Sequence, residues 1–112
     1  MNIGLIGAGK VGCTLGKFFV QRNYSVAGYY SRSNQSAAEA ARFTQTKVFD
    51  TIEEIVNVCD VLFLTVPDGS LTQVFQQIAN MPIEGKYICH CSGTLSASEA
   101  FNNKKKTGAF GY

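Results

Sequence analysis

Residues 4–16 read "GLIGAGKVGCTLG", and this stretch decides the fold. Its glycines at positions 7, 9 and 12 spell G-x-G-x-x-G. The pattern alone is weak, but its surroundings are specific. Before it lies a short apolar strand, Asn2–Ile6. After it, Val11, Leu15, Phe18 and Phe19 recur at i, i+4, i+7 and i+8, one face of a helix. Strand, glycine turn and helix in that order form the context in which this motif cradles a dinucleotide pyrophosphate. Gly7 permits the tight turn, Gly9 lets the backbone approach the pyrophosphate, and Gly12 lets the helix pack closely on the strand. The helix N-terminus then offers unpaired N–H groups and a partial positive charge to the phosphates. Gly16 extends the small-residue face and reads as packing.

Downstream the alternation continues. Asn23 is a helix stop, and Ser25–Tyr30 reads as a second strand. The alanine-rich segment Asn34–Phe43 reads as a helix and Lys47–Phe49 as a short third strand. Thr51 and Glu54 have capping-box spacing, with Ile52, Ile55 and Val56 on one face. Val61–Val66 is an apolar run interrupted only by Thr65, the mark of a central parallel strand buried on both sides. Pro67 ends it. Ser70 and Gln73 form a second capping box, and Leu71, Val74, Phe75 and Ile78 form the inner face of the helix that follows. Tyr87–Cys91 is a fifth strand, Ser96 and Glu99 open a short helix, and Gly108–Tyr112 begins a sixth strand. Strands alternating with helices predict an α/β fold: a doubly wound parallel sheet in three α/β/α layers, a Rossmann-like NAD(P)-binding domain over residues 1–112.

Composition sets outer bounds. A chain of 112 residues with 46% hydrophobic content builds one core. The net charge of +2 leaves no strongly basic surface, so no nucleic-acid partner is expected. The one charge run, Lys104–Lys106, reads as a solvated turn. The N-terminus lacks a basic leader with a long apolar segment, and no apolar run approaches the roughly 18 residues of a membrane span, so no membrane partner is expected. Of the cysteines at 13, 59, 89 and 91, three lie in apolar or small-residue surroundings, which suggests reduced, mostly buried thiols and a cytoplasmic protein.

The end of the second strand bears on the choice of cofactor. NAD-binding domains place an acid about 20 residues after the loop to bond the ribose hydroxyls. Here the segment is Tyr30-Ser31-Arg32-Ser33, with no acid. Arg32 can make charge-assisted bonds to a 2′-phosphate, and Ser31 and Ser33 add hydroxyls, so NADP is the expected cofactor. The competing reading makes Arg32 a surface charge, or a plane stacked on adenine.

Ligands of such sheets lie outside the carboxyl ends of the strands. Thr65, Val66 and Pro67 are placed to line the dinucleotide's path, while Asp68 reads first as a cap for the next helix. In "YICHCSGTLS", residues 87–96, Cys89-His90-Cys91 has no second ligand pair, so no metal site is expected. Strand alternation sends Cys89 and Cys91 to one face and His90 to the other. The strand end His90–Gly93 then meets the nicotinamide half of the cofactor, with His90 and Ser92 as polar groups near the reacting carbon. For His90 a structural role stays open beside the chemical one.

"IGLIGAGKVG", "YYSRS", "LFLTVPDGSL", "HCSGTLS" and "GAFGY" together resemble a group of two-domain NADP-dependent oxidoreductase-like proteins. These join a Rossmann-like N-terminal domain to a helical C-terminal domain of unknown function. The group is allied to pyrroline-5-carboxylate reductase, ketopantoate reductase and the deazaflavin-dependent NADP reductases. The resemblance covers nearly the whole chain, and its H-x-S-G element is the most particular part. It implies a pyrophosphate loop at Gly7, Gly9, Lys10 and Val11, and a 2′-phosphate site at Ser31, Arg32 and Ser33. It also implies a ribose-side element at Val66, Pro67 and Asp68 and a nicotinamide-side element at His90, Ser92 and Gly93. The family pattern continues with Ser-x-His-Pro and the helical domain, and this chain ends before both. The expectation is therefore the cofactor domain of an NADP-dependent oxidoreductase acting on a small carbonyl, imine or alcohol substrate. Substrate contacts and homodimer contacts would come mainly from the missing domain. A non-catalytic dinucleotide-binding or sensing module is the alternative, and a domain for another nucleotide is disfavoured by Ser-Arg-Ser.

Overall fold

The computed structural model describes residues 1–90 and 110–111, with only the backbone of residues 68, 110 and 111. The elements are β1 (Ile3–Ile6), α1 (Lys10–Gln21), β2 (Val26–Tyr30), α2 (Asn34–Thr44), β3 (Lys47–Val48), α3 (Ile52–Val58), β4 (Val61–Leu64), α4 (Asp68–Ala79), β5 (Tyr87–His90) and β6 (Phe110–Gly111). The sheet has six strands in the order β3-β2-β1-β4-β5-β6, and every pairing is parallel. From β1 the chain winds outward through β2 and β3, then crosses to β4 and winds the other way. That reversal opens a crevice at the carboxyl ends of β1 and β4. Register pairs Ile6 with both Tyr30 and Leu64, and Leu64 with His90. Four strands thus finish on one row along one edge of the sheet.

Strand alternation divides the core into two layers. Leu5 and Tyr29 point to one face and pack with Ala37, Ala40 and Ala41 of α2. Ile6, Leu62, Leu64 and Ile88 point to the other and pack with Ile52, Ile55 and Val56 of α3 and Leu71, Phe75 and Ile78 of α4. Register shifts between Ile3 and Gly4, where β1 meets β2. The extra residue, Ala27, lets Val26 and Tyr29 both serve the α2 layer while Ala27 and Tyr30 serve the other.

Capping explains several boundaries. Ser33 caps α2 by accepting the Ser36 N–H at 3.2 Å. Thr51 caps α3 by accepting the Glu54 N–H at 3.2 Å, and its hydroxyl donates to the Glu54 carboxylate at 3.1 Å. Asn23 sits just past α1 at φ 65°, as a stop should.

Three readings need correction. Of the face expected for α1, Leu15 and Phe19 pack inward, but Val11 and Phe18 are exposed and the fully buried positions are Gly12 and Gly16. Glycines win because they admit the Tyr29 ring against the helix: a Cβ on Gly16 would collide with the Tyr29 hydroxyl. β4 ends at Leu64, and only Leu62 and Leu64 are fully buried along it, so its apolar run is not sealed on both faces. Ser70 caps nothing at the start of α4: the helix begins at Asp68 with Pro67 as N-cap, and the Ser70 N–H already bonds the Pro67 carbonyl at 2.8 Å. Among the thiols, Cys59 is buried but Cys13 and Cys89 are only half-buried. Cys91, Ser92, Gly93, the Ser96–Glu99 helix and the Lys104–Lys106 run lie outside the described residues. Among the described residues, no helix is long and apolar enough to cross a membrane.

Candidate functional site

The turn after β1 is pinned from both sides. The Gly7 N–H donates to the Tyr30 carbonyl at the end of β2 (2.8 Å), and the Thr65 hydroxyl after β4 donates to the Gly7 carbonyl (3.0 Å). Gly7 has φ 110°, which side chains rarely adopt, and a Cβ there would press on Thr65 at 2.8 Å. A Cβ on Gly12 would meet the Gly7 carbonyl oxygen at 2.6 Å. Folding alone therefore accounts for glycine at 7 and 12. Gly9 differs: its φ of −79° is open to any residue, and a Cβ there would meet nothing within 4 Å. No internal contact requires glycine at 9; a ligand drawn against the backbone would.

Gly9 is also the N-cap of α1. The first ladder bond of the helix runs from the Cys13 N–H to the Gly9 carbonyl (2.9 Å), leaving the N–H groups of the first turn without helical acceptors. No acidic side chain stands in that turn, so the positive end of the helix dipole is not neutralised there. The arrangement favours an anion.

A cavity of about 650 Å³ lies over this turn, along the carboxyl edge of the sheet. Its floor is Gly7 and Gly9 with Lys10 and Val11 of α1, which explains the exposure of Val11 on a face read as core. Ser31, Arg32 and Ser33 after β2 form one end. Thr65, Val66 and Pro67 after β4 form the facing wall. Segments far apart in sequence thus converge as expected. Arg32 is exposed and has no ion pair among the described residues, so its guanidinium is available to a ligand. The Ser33 oxygen accepts the Ser36 N–H and the Ser31 oxygen accepts the Ser33 N–H (3.3 Å). Each hydroxyl keeps its proton for donation.

Gly12 sits behind this cavity, against Gly7, and is not part of its lining. Asp68 is the first residue of α4. His90 ends β5 on the shared edge, one strand beyond the cavity wall. Ser92 and Gly93 lie outside the described residues. Sequence reading passed over Ser36, Ser70, Val74 and Gln77, all of which line the cavity. The available signal was helical spacing: Ser36 follows Ser33 by one turn, and Ser70, Val74 and Gln77 form a stripe on α4.

Behind the loop, the buried Tyr29 hydroxyl donates to the Gly12 carbonyl at 2.8 Å and locks α1 against β2. Burial pushes its pKa up to about 12, with the Cys13 charge adding to the rise and a bond to Thr44 opposing it. Burial also raises the Cys13 thiol, with Glu39 adding to the effect. The Cys59 thiol is pushed up to about 11, mainly by burial. Thiols so protonated are poor nucleophiles. Among the described residues, no cluster of His, Cys, Asp and Glu is arranged to hold a metal.

Known proteins share this architecture. YqeC of Bacillus subtilis (strain 168), which carries the name of a 6-phosphogluconate dehydrogenase, is 27% identical over 113 residues, covering 96% of this chain and 37% of YqeC. The glycerol-3-phosphate dehydrogenase (NAD(P)+) of Chlorobium limicola is 31% identical over 100 residues, covering 79% of this chain and 30% of that enzyme. The imine reductase of Myxococcus stipitatus, solved in complex with NADP+, superposes with a TM-score of 0.82 at 21% identity, over 98% of this chain and 39% of that one. The chain thus spans about a third of the length of the curated relatives it matches. A family model for the Rossmann-like domain matches residues 1–110, the stretch that carries the parallel sheet, the reversal and the glycine turn, and the chain belongs to that family.

Proposed function

We propose that this chain is the NADP-binding domain of an oxidoreductase that moves a hydride between a nicotinamide and a small carbonyl, imine or alcohol carbon. The observation that carries the reading is Gly9, a glycine with no conformational or packing need inside the protein, at the open N-terminus of α1. The residues present fit a dinucleotide. The first-turn N–H groups of α1 hold the pyrophosphate, and Lys10 adds charge beside it. Arg32 bonds the 2′-phosphate, with Ser31 and Ser33 as hydroxyl donors, and no acid at the end of β2 repels it. Val66 and Pro67 flank the ribose. The nicotinamide supplies the hydride chemistry when bound. His90, the last residue of β5, and Ser92, two positions on in the sequence, orient or protonate the substrate. The relatives named for NAD(P)+ and NADP+ support the cofactor class. Their greater length supports a second domain that closes the substrate side and carries dimer contacts.

Calorimetric titration tests the cofactor choice. NADPH binds more tightly than NADH, and Arg32→Ala removes most of the difference, because a charged phosphate bond contributes about 1.5–3 kcal/mol. Equal affinities in the unmodified protein would sink the NADP assignment.

A further inference from the structure

The backbone N–H groups of residues 8–12 have no acceptor among the described residues, and the ladder of α1 opens only with the Cys13 N–H on the Gly9 carbonyl. The carbonyls of the same stretch are treated differently. The Gly7 oxygen accepts the Thr65 hydroxyl at 3.0 Å, the Ala8 oxygen the Cys13 thiol at 3.6 Å, and the Gly12 oxygen the buried Tyr29 hydroxyl at 2.8 Å. In a planar trans peptide the N–H points opposite to the C=O. Holding the Gly7 oxygen on Thr65 therefore turns the Ala8 N–H away from β4. Thr65 is wedged at the junction: a Cβ on Gly7 or on Gly12 would each come within 2.8 Å of its hydroxyl oxygen. The hydroxyl proton goes to the Gly7 oxygen, because the Ile6 oxygen lies farther away at 3.4 Å and already accepts the Thr65 N–H at 2.9 Å.

We infer that Thr65 is a positioning residue for the anion-binding turn: its hydroxyl holds the Gly7 carbonyl inward, so that the N–H groups that follow face the diphosphate. The inference rests on the dinucleotide reading above and goes beyond it by giving Thr65, a wall of the cavity, an action through the backbone of Gly7. Without the hydroxyl the Gly7 peptide is free to rotate, and its carbonyl dipole then competes with the N–H groups for the side that meets the anion. The effect is confined to the diphosphate, since the 2′-phosphate belongs to Arg32 at another strand end.

The experiment is calorimetric titration of NADPH, ADP and 2′-AMP into the unmodified protein, Thr65→Ala, Thr65→Val and Thr65→Ser, with unfolding midpoints measured without ligand. ADP carries a diphosphate and no nicotinamide ribose, and 2′-AMP carries the phosphate for Arg32 and no diphosphate. Thr65→Ala and Thr65→Val weaken NADPH and ADP by the same factor, about three- to tenfold for one hydrogen bond, and leave 2′-AMP binding as it was. Thr65→Ser keeps the hydroxyl and recovers most of the loss. If one hydroxyl-free variant does not fold, the other carries the comparison. Unchanged ADP affinity in the hydroxyl-free variants, with only the midpoint lowered, overturns the inference and leaves the dinucleotide reading intact. A loss on NADPH without one on ADP also overturns it, by placing the hydroxyl against the nicotinamide half, and equal losses on ADP and 2′-AMP overturn it as a general loosening of the site. Failure of the unmodified protein to bind NADPH overturns the dinucleotide reading and this inference with it.

Discussion

Gly9 and Gly12 are one residue type three positions apart, and alanine at each separates binding from folding. At Gly9 a methyl group has open space and an unstrained φ, so the ligand-free protein loses about 1 kcal/mol or less, the cost of a poorer N-cap. Affinity for NADPH falls tenfold or more, because the methyl stands where the pyrophosphate meets the backbone. At Gly12 the methyl would meet the Gly7 carbonyl at 2.6 Å, and overpacking of this kind costs about 1–3 kcal/mol. Urea denaturation and calorimetry on both variants check the pair; equal stability losses would remove the distinction. The glycine spacing was legible in the sequence, since the motif is local. The division of labour was not, because what a Cβ meets depends on Thr65, more than fifty residues away.

At the scale of elements, α1 shows where periodicity misleads. Counting large apolar residues selects Val11, Leu15, Phe18 and Phe19; Leu15 and Phe19 do pack inward, but Val11 and Phe18 do not, and the fully buried positions are Gly12 and Gly16. Phe18 lies outside, under the Arg22 guanidinium at 4.1 Å. Close approach is governed by what is absent from a face, and hydrophobicity counts only what is present. The contact predicts a coupled pair. Gly16→Ala drives a methyl into the Tyr29 hydroxyl and costs about 1–3 kcal/mol. Tyr29→Phe deletes the bond to the Gly12 carbonyl and costs about 1–2 kcal/mol. In the double variant the hydroxyl is gone, so the total loss is smaller than the two single losses added together. A double-mutant cycle by chemical denaturation measures this; strict additivity would show that the ring and helix do not press on each other.

Two consequences belong to the whole molecule. Tyr29 and Cys59 sit in opposite layers, with pKa values raised from 10.0 to about 12 and from 9.0 to about 11. Each binds its proton more tightly folded than unfolded. Their stabilisation is therefore complete below pH 9 and is lost as pH rises, through about 9–11 for Cys59 and 10–12 for Tyr29. Denaturation midpoints should decline across that range, and Tyr29→Phe should flatten the upper part; an unchanged slope would mean the phenol titrates normally. The second consequence is functional. On the function proposed above, the 112 residues assayed alone should bind NADPH yet turn over no small ketone, imine or keto acid efficiently, since a hydride acceptor must be enclosed and supplied with a proton. A longer protein carrying this domain recovers turnover. Saturable NADPH oxidation by the short chain, abolished in His90→Ala, would show a complete site without a second domain.

The sequence by itself determined the strand–helix alternation, the parallel sheet, the glycine turn and the chemistry offered at the ends of β2 and β4. Those signals are local: motif spacing, apolar runs, capping pairs and the lack of an acid after Tyr30 can each be read within one element. Only the tertiary structure decided which glycines serve the fold and which is left for a ligand, which face of α1 is buried, where α4 begins, and that Gln77 and Val74 share a cavity with Arg32. Those outcomes depend on atoms brought together by strand order and register, and no single segment of the chain contains both partners.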